Sequence, residues 1–138
     1  MKILKVLLAH KTVRQFFKFG VIGAIGFVFD TALVYSGIYI LGIDPIYAPY
    51  FSFPFVVTFT WLGNRFFTFR DAKREKIAQQ LMRFVTVCSV GLVFNRGTVT
   101  LLMTNIPFVY QHPVFGLIAG TGVGMFFNFF TSKKLVFR

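Results

Sequence analysis

Acidic residues are scarce in this chain, since only 4 of its 138 residues are Asp or Glu. Catalysis by general acids and bases depends on such side chains, and no nucleophile–base arrangement or nucleotide-binding loop is visible. His10 and His112 have no ligand-type neighbours in the sequence, so no metal site is predicted. We therefore predict that the chain is not an enzyme and needs no cofactor or metal ion.

Cysteine and charged residues are also few. The single cysteine, Cys88, excludes a disulfide framework. Charged residues make up 14% of the chain and hydrophobic residues 56%, whereas a soluble domain carries about 25% charge. A net charge of +11 would suggest nucleic acid in a soluble protein, but basic loops retained in the cytoplasm explain it in a membrane protein. The composition predicts a small integral membrane protein with one domain, residues 1–138, and no nucleic-acid partner.

Long apolar stretches dominate what remains. Four of them, residues 17–41, 46–67, 81–104 and 114–131, predict membrane-spanning helices, because about 20 residues cross a bilayer as a helix. All but one of the 15 Lys and Arg residues lie on one side of these spans, which predicts cytoplasmic N and C termini. The first fifteen residues mix lysines with apolar residues and predict a short amphipathic helix at the membrane surface. The predicted fold class is therefore an all-α integral membrane protein.

The two halves of the chain, about residues 14–70 and 79–138, resemble each other. At an offset of 65 the identical pairs are Gln15/Gln80, Phe19/Phe84, Gly26/Gly91, Val28/Val93 and Phe29/Phe94. At an offset of 68, residues 64–70 lie over residues 132–138. Since each half holds two spans, the pattern predicts two two-helix repeats that point the same way through the membrane. Chance similarity between phenylalanine-rich helices is the alternative.

Two full charges fall in the middle of predicted spans, Asp30 in the first and Arg96 in the third. A charge at that depth costs on the order of 2.5–3.5 kcal/mol on insertion scales. One interpretation is a polar site or relay that contacts the head group of a ligand, with Asn95 adding hydrogen-bonding capacity. The other is a static ion pair between the two side chains that fixes the register of the helices.

Basic residues close the second and fourth spans, with Asn64 and Arg65 at one end and Lys133 at the other. Arginine binds phosphate through a bidentate fork, and lysine adds a point charge. These residues therefore predict a site for an anionic lipid head group. The alternative is that they only retain the loops in the cytoplasm and attract anionic membrane lipids.

Small residues lie on one face of the first span and at four-residue spacing in the fourth. The glycines predicted to pack helices are Gly23, Gly26, Gly116, Gly120 and Gly124. Such spacing lets two helix backbones approach closely, within one chain or between two. Asn128 continues the stripe of the fourth span and either ends this packing face or lines a polar site.

Two closing motifs give the chain a resemblance to a known family. They are Phe59-x4-Asn64-Arg65-x2-Thr68-Phe69 and Asn128-Phe129-x3-Lys133-x2-Val136-Phe137. From about Arg14 to Arg138 the chain resembles the GtrA-like family of small four-span membrane proteins of bacteria and archaea. Asp30 matches the acidic position of the family, and Lys133 stands where the family usually has arginine.

The resemblance implies a function in the bacterial or archaeal cytoplasmic membrane. It implies translocation of a polyprenyl-phosphate-linked sugar for cell-surface polysaccharide or glycan modification. The residues expected to carry it are Asp30, Asn64, Arg65, Asn95, Arg96, Asn128 and Lys133. We expect a homodimer with a glycine-rich interface, surrounded by membrane lipids. The alternatives are an accessory subunit that anchors a polyprenyl-phosphate glycosyltransferase, or a small proton-coupled exporter with Asp30 as the proton carrier.

Overall fold

The computed structural model describes residues 2–138, which form helices and no strand. The predicted all-α class is therefore confirmed. Met1, the first residue of the predicted N-terminal segment, lies outside the described residues. The chain divides after Lys73 into two compact units, and the division falls between the two halves that the sequence comparison identified.

The first unit is a helical hairpin. Helix α1 runs over Lys2–Tyr39 and α2 over Ala48–Gly63, and a π-helical turn at Asn64–Thr68 continues α2. Between the helices Gly42 has a φ of +68°, a backbone conformation that glycine adopts without steric cost. The apolar core of this unit consists of Phe19, Ile22, Ala48, Val57, Trp61 and Phe69.

The N-terminal segment forms the first turns of α1, where the sequence predicted a separate short helix. Residues 2–15 contain neither proline nor glycine, so nothing in them ends a helix before the first span begins. The side chains of Ile3, Leu4 and Leu7 are exposed. A position of this segment at the membrane surface stays a prediction.

The second unit contains α3 (Ile77–Asn105), α4 (Pro107–Gln111), α5 (Pro113–Thr131) and a second π-helical turn at Ser132–Val136. The sequence predicted a loop where the short α4 lies. Pro107 and Pro113 each stand in the first turn of a helix, where proline has no hydrogen bond to lose and its fixed φ suits the helix. The core consists of Phe84, Val87, Val99, Val109, Phe129, Val136 and Phe137.

Three helical stretches of the described residues are long and apolar enough to cross a membrane: Lys2–Tyr39, Ile77–Asn105 and Pro113–Val136. The chain is therefore a membrane protein with several candidate spans. The predicted second span differs, because α2 holds only 16 residues before the polar residues Asn64 and Arg65. An arrangement of four spans stays a prediction.

Candidate functional site

Asp30 has a hydrogen-bond partner within its own hairpin. The hydroxyl of Ser52 on α2 donates to Oδ1 of Asp30 over 2.6 Å, and it lies 3.1 Å from the carbonyl oxygen of Pro49. Ser52 is fully buried and Asp30 half-buried. A carboxylate accepts shorter and stronger hydrogen bonds than a neutral group, so Ser52 is a natural anchor for it. Pairing of Asp30 with Arg96, which belongs to the other unit, stays a prediction.

The end of α2 holds Asn64 and Arg65 in the π-helical turn. Asn64 is buried, and its Oδ1 accepts a hydrogen bond from the hydroxyl of Thr68 over 2.7 Å. Its carbonyl accepts from the backbone N–H of Phe69, five residues ahead, over 2.7 Å. The half-buried guanidinium of Arg65 lies 5.4 Å from the ring centre of Trp61, within the range of a cation–π contact. The turn thus fixes a cation against an aromatic ring at the helix end.

The end of α5 repeats this arrangement. The carbonyl of Ser132 accepts from the backbone N–H of Phe137, again five residues ahead, over 2.9 Å. The ammonium of Lys133 lies 6.0 Å from the ring centre of Phe129. The buried side chain of Gln80 donates from Nε2 to the carbonyl of Val136 over 3.3 Å, which ties the turn to the start of α3. π-helical turns occur frequently at functional sites.

Other internal contacts recur at the offsets found in the sequence. The ring centres of Phe19 and Phe69 lie 6.3 Å apart, and those of Phe84 and Phe137 lie 6.0 Å apart. The ring centres of Phe29 and Phe59 lie 5.1 Å apart, and those of Phe94 and Phe127 lie 4.7 Å apart. Between the matching contacts of the two units, the first residue of the pair shifts by 65 positions and the second by 68. These two aromatic contacts therefore recur at matching positions in both units.

Asn128 packs directly on Gly91. A Cβ atom at Gly91 would overlap the amide group of Asn128, so only glycine leaves room for that side chain. The Oδ1 atom is buried and has no hydrogen-bond partner among the described residues. Buried polar atoms are nearly always hydrogen-bonded, so this unpaired oxygen is unusual, and it is closed to solvent where it packs on Gly91. In the first unit a Cβ at Gly26 would lie 2.5 Å from Cγ2 of Thr60, at the matching positions.

Asn95 and Arg96 point in different directions. Asn95 is half-buried against α5, where a Cβ at Gly124 would lie 3.2 Å from the Cβ of Asn95. Arg96 is exposed and lines a shallow groove on α3 with Leu92 and Thr100. The two neighbours therefore do not form one polar cluster within their unit.

Four of the five predicted packing glycines contact another helix, and one does not. Gly26, Gly116, Gly120 and Gly124 are buried against the partner helix of their own unit. A Cβ at Gly23 would have no atom of the described residues within 4 Å. Three residues turn an α-helix through about 300°, so Gly23 lies beside the line of contact that Gly26 occupies. The structure thus gives Gly23 no packing role within its hairpin.

Glu75 is a polar contact that the sequence did not single out. Its carboxylate pairs with the guanidinium of Arg83 on α3 and, over 3.1 Å, with that of Arg138. Only 20% of its side chain is exposed. The hydrogen bond from Arg138 lowers the pKa of Glu75, and the nearby charges of Arg83 and Arg138 lower it further, against an opposing effect of burial. The residue is the only glutamate of the chain and lies in a run of mainly basic residues, but the sequence does not show which of them it pairs with.

We expect the second unit to lose stability in acid through Glu75. Its pKa lies below the ordinary value of 4.5 in the folded state, so its stabilising effect is complete above that value and is lost as the pH falls through the folded pKa. Thermal unfolding followed from neutral to acidic pH should show a smaller drop for Glu75→Gln than for wild type. The control is Asp71→Asn, which removes an exposed carboxylate 3.6 Å from Lys11. An equal fall of the unfolding temperature with pH in Glu75→Gln and wild type would contradict this role of Glu75.

Comparison with known families covers most of the chain. A family model described as the GtrA/DPMS transmembrane domain matches residues 18–137. No curated protein matches the chain. The matched range contains the aromatic contacts of both units and the two π-helical turns with Arg65 and Lys133. The predicted resemblance is confirmed, and the chain belongs to the GtrA/DPMS transmembrane domain family.

Proposed function

We propose that the chain translocates a polyprenyl-phosphate-linked sugar across the cytoplasmic membrane, for modification of a cell-surface polysaccharide or glycan. Membership of the family supports a membrane function related to polyprenyl-phosphate sugars. The observation that carries the proposal is the pair of π-helical turns. Each one holds a basic side chain, Arg65 or Lys133, against an aromatic ring at the end of a long helix, where a phosphate group would find a fixed cation.

Polar groups continue from the first of these turns into the hairpin. Ser52 and Thr60 on α2 and Asn64 in the turn that continues it are separated by multiples of four residues, and Ser52 donates a hydrogen bond to Asp30. Twelve residues from Asn64 to Ser52 cover about 18 Å of helix, more than half of a hydrocarbon core about 30 Å thick. Sugar hydroxyls and phosphate do not cross hydrocarbon without hydrogen-bond partners. In the second unit Asn128 and Asn95 would serve the same purpose.

The proposal includes four crossings and cytoplasmic termini. The 16 residues of α2 and the 5 residues of its π-helical turn together are long enough to cross, since about 20 residues suffice. The matching contacts of the two units support a duplicated hairpin, and the one-sided distribution of Lys and Arg supports the orientation. We also propose a homodimer. Because Gly116, Gly120 and Gly124 already pack within their own unit, the interface between the two copies of the homodimer would use other residues.

The direct test is translocation in liposomes. Purified protein reconstituted with a fluorescent, short-chain polyprenyl-phosphate sugar should move the probe between leaflets faster than protein-free liposomes do. The double variant Arg65→Gln/Lys133→Gln should lower the rate roughly tenfold or more, because a hydrogen bond to a charged group contributes about 1.5–3 kcal/mol. The control Lys73→Gln/Lys76→Gln removes the same charge from exposed residues of the connector and should leave the rate unchanged.

Two results would contradict the proposal. The first is a rate no higher than that of protein-free liposomes. The second is an equal loss of rate in both double variants, which would assign the effect to overall charge. If the protein does not move the probe but co-purifies with a glycosyltransferase, and Arg65→Gln/Lys133→Gln abolishes that association, the accessory role replaces translocation.

A further inference from the structure

A groove of about 580 Å³ runs along the first half of α1 beside the end of α2. Three of its lining residues are basic. His10, Arg14 and Lys18 line it, and their spacing of four residues places them above one another on the same helix face. Over eight residues this stripe is about 12 Å long. None of these residues belongs to the set from which the proposed translocation site is built.

Lys18 closes the inner end of the stripe. Its ammonium donates to the carbonyl oxygen of Phe67 over 3.3 Å and lies 4.6 Å from the ring centre of the same residue. That carbonyl belongs to the π-helical turn at the end of α2, where carbonyl groups lack partners farther along the helix. The contact holds α1 and α2 together at this point and fixes a positive charge there.

The remaining lining residues of the groove are apolar. Phe17, Val21 and Phe67 line it, with exposed fractions of 68%, 52% and 46%. Phe17 and Val21 are four residues apart and continue along α1 in the direction of the first span. The groove thus offers the cations of Arg14 and Lys18 beside apolar side chains, which matches a molecule with an anionic head and an apolar chain.

We infer that this groove binds an anionic glycerophospholipid of the surrounding membrane. Arg14 and Lys18, with His10 above them, bind the head-group phosphate, and one acyl chain lies along Phe17, Val21 and Phe67. The lining explains why the occupant is not the sugar-linked lipid of the proposed function. Apart from the cations the groove is apolar, so sugar hydroxyls would lose hydrogen bonds with water and gain few in return.

Lipid retention measured by native mass spectrometry tests the inference. The full chain is purified in detergent and mixed with equal amounts of phosphatidylglycerol and phosphatidylcholine. We expect one phosphatidylglycerol to stay bound to wild type in preference to phosphatidylcholine. Arg14→Gln/Lys18→Gln should weaken that retention on the order of tenfold, because each basic side chain contributes to binding of anionic lipid. The exposed control pair Lys73→Gln/Lys76→Gln should retain the lipid as wild type does.

A second variant separates lipid binding from the contact by which Lys18 joins α1 and α2. His10→Gln/Arg14→Gln leaves Lys18 in place and should also weaken retention of phosphatidylglycerol. Equal retention by this variant and wild type would overturn the inference, as would equal retention of the two phospholipids. Preferential retention of an added polyprenyl phosphate over phosphatidylglycerol would also overturn it, because the groove would then serve the sugar-carrying lipid.

Discussion

Gly120→Ala is expected to lower the free energy of unfolding by about 1–3 kcal/mol, the usual cost of overpacking a tight contact. A Cβ at this position would lie 2.8 Å from the backbone carbonyl oxygen of Asn95 and 2.6 Å from Cγ2 of Val99. A backbone atom cannot rotate away, and the branched side chain of valine has little rotamer freedom in a helix. The substitution therefore forces α3 and α5 apart.

Gly122→Ala provides a matched control in the same helix. A Cβ there would have no atom of the described residues within 4 Å. Alanine favours a helix over glycine by about 0.5–1 kcal/mol, so this variant should be as stable as wild type or slightly more stable. Thermal unfolding of the two variants in the same detergent separates the effects. Equal midpoints would show that α3 and α5 do not pack closely at Gly120.

Ser52→Ala is expected to cost about 1.5–3 kcal/mol of stability, the contribution of a hydrogen bond to a charged group. The hydroxyl that donates to Asp30 over 2.6 Å would be lost. Because Ser52 is fully buried, the methyl group of alanine would leave that carboxylate oxygen facing an apolar wall. The same loss should slow translocation if Asp30 belongs to the path of the sugar.

Ser89→Ala is the control, since Ser89 is exposed and its hydroxyl donates only to the carbonyl of Val85 in its own helix, over 2.9 Å. A double-mutant cycle with Asp30→Asn isolates the interaction. In the Asp30→Asn background, Ser52→Ala should cost only about 0.5–1.5 kcal/mol, the range for a neutral hydrogen bond. An equal cost in both backgrounds would show that the carboxylate gains nothing special from Ser52.

The long helices were predictable because they depend on local composition. The predicted span at residues 114–131 agrees closely with α5 at Pro113–Thr131. The predicted span at residues 81–104 misses the start of α3, which begins at Ile77, because Gln79 and Gln80 are too polar for an apolar run. The helix continues through them since Gln80 is buried against the end of α5 by its hydrogen bond to Val136.

Contacts that join distant parts of the chain were not predictable from pattern. Ser52 lies on a stripe of small residues, but only the hairpin brings its hydroxyl to Asp30. Glu75 is one of several charges in its run, and only the fold selects Arg83 and Arg138 as its partners. The π-helical turns have the same residue types as an α-helix end, so hydrophobic periodicity does not distinguish them. For Ser52 and Glu75 the missing information is the distance between two elements, and for the turns it is the local pattern of backbone hydrogen bonds.

Because α1 is continuous, the depth of Asp30 in the membrane depends on where Lys18 lies relative to the lipid head groups. Between Lys18 and Asp30 lie twelve helical steps, or about 18 Å, close to half the thickness of a bilayer. α1 is one continuous helix over Lys2–Tyr39, so in the proposed orientation a position of Lys18 at the head groups would bring the carboxylate of Asp30 near the midplane of the bilayer. A thinner bilayer favours tilting of such a long helix, and a tilt would change the depth of Asp30 in the membrane.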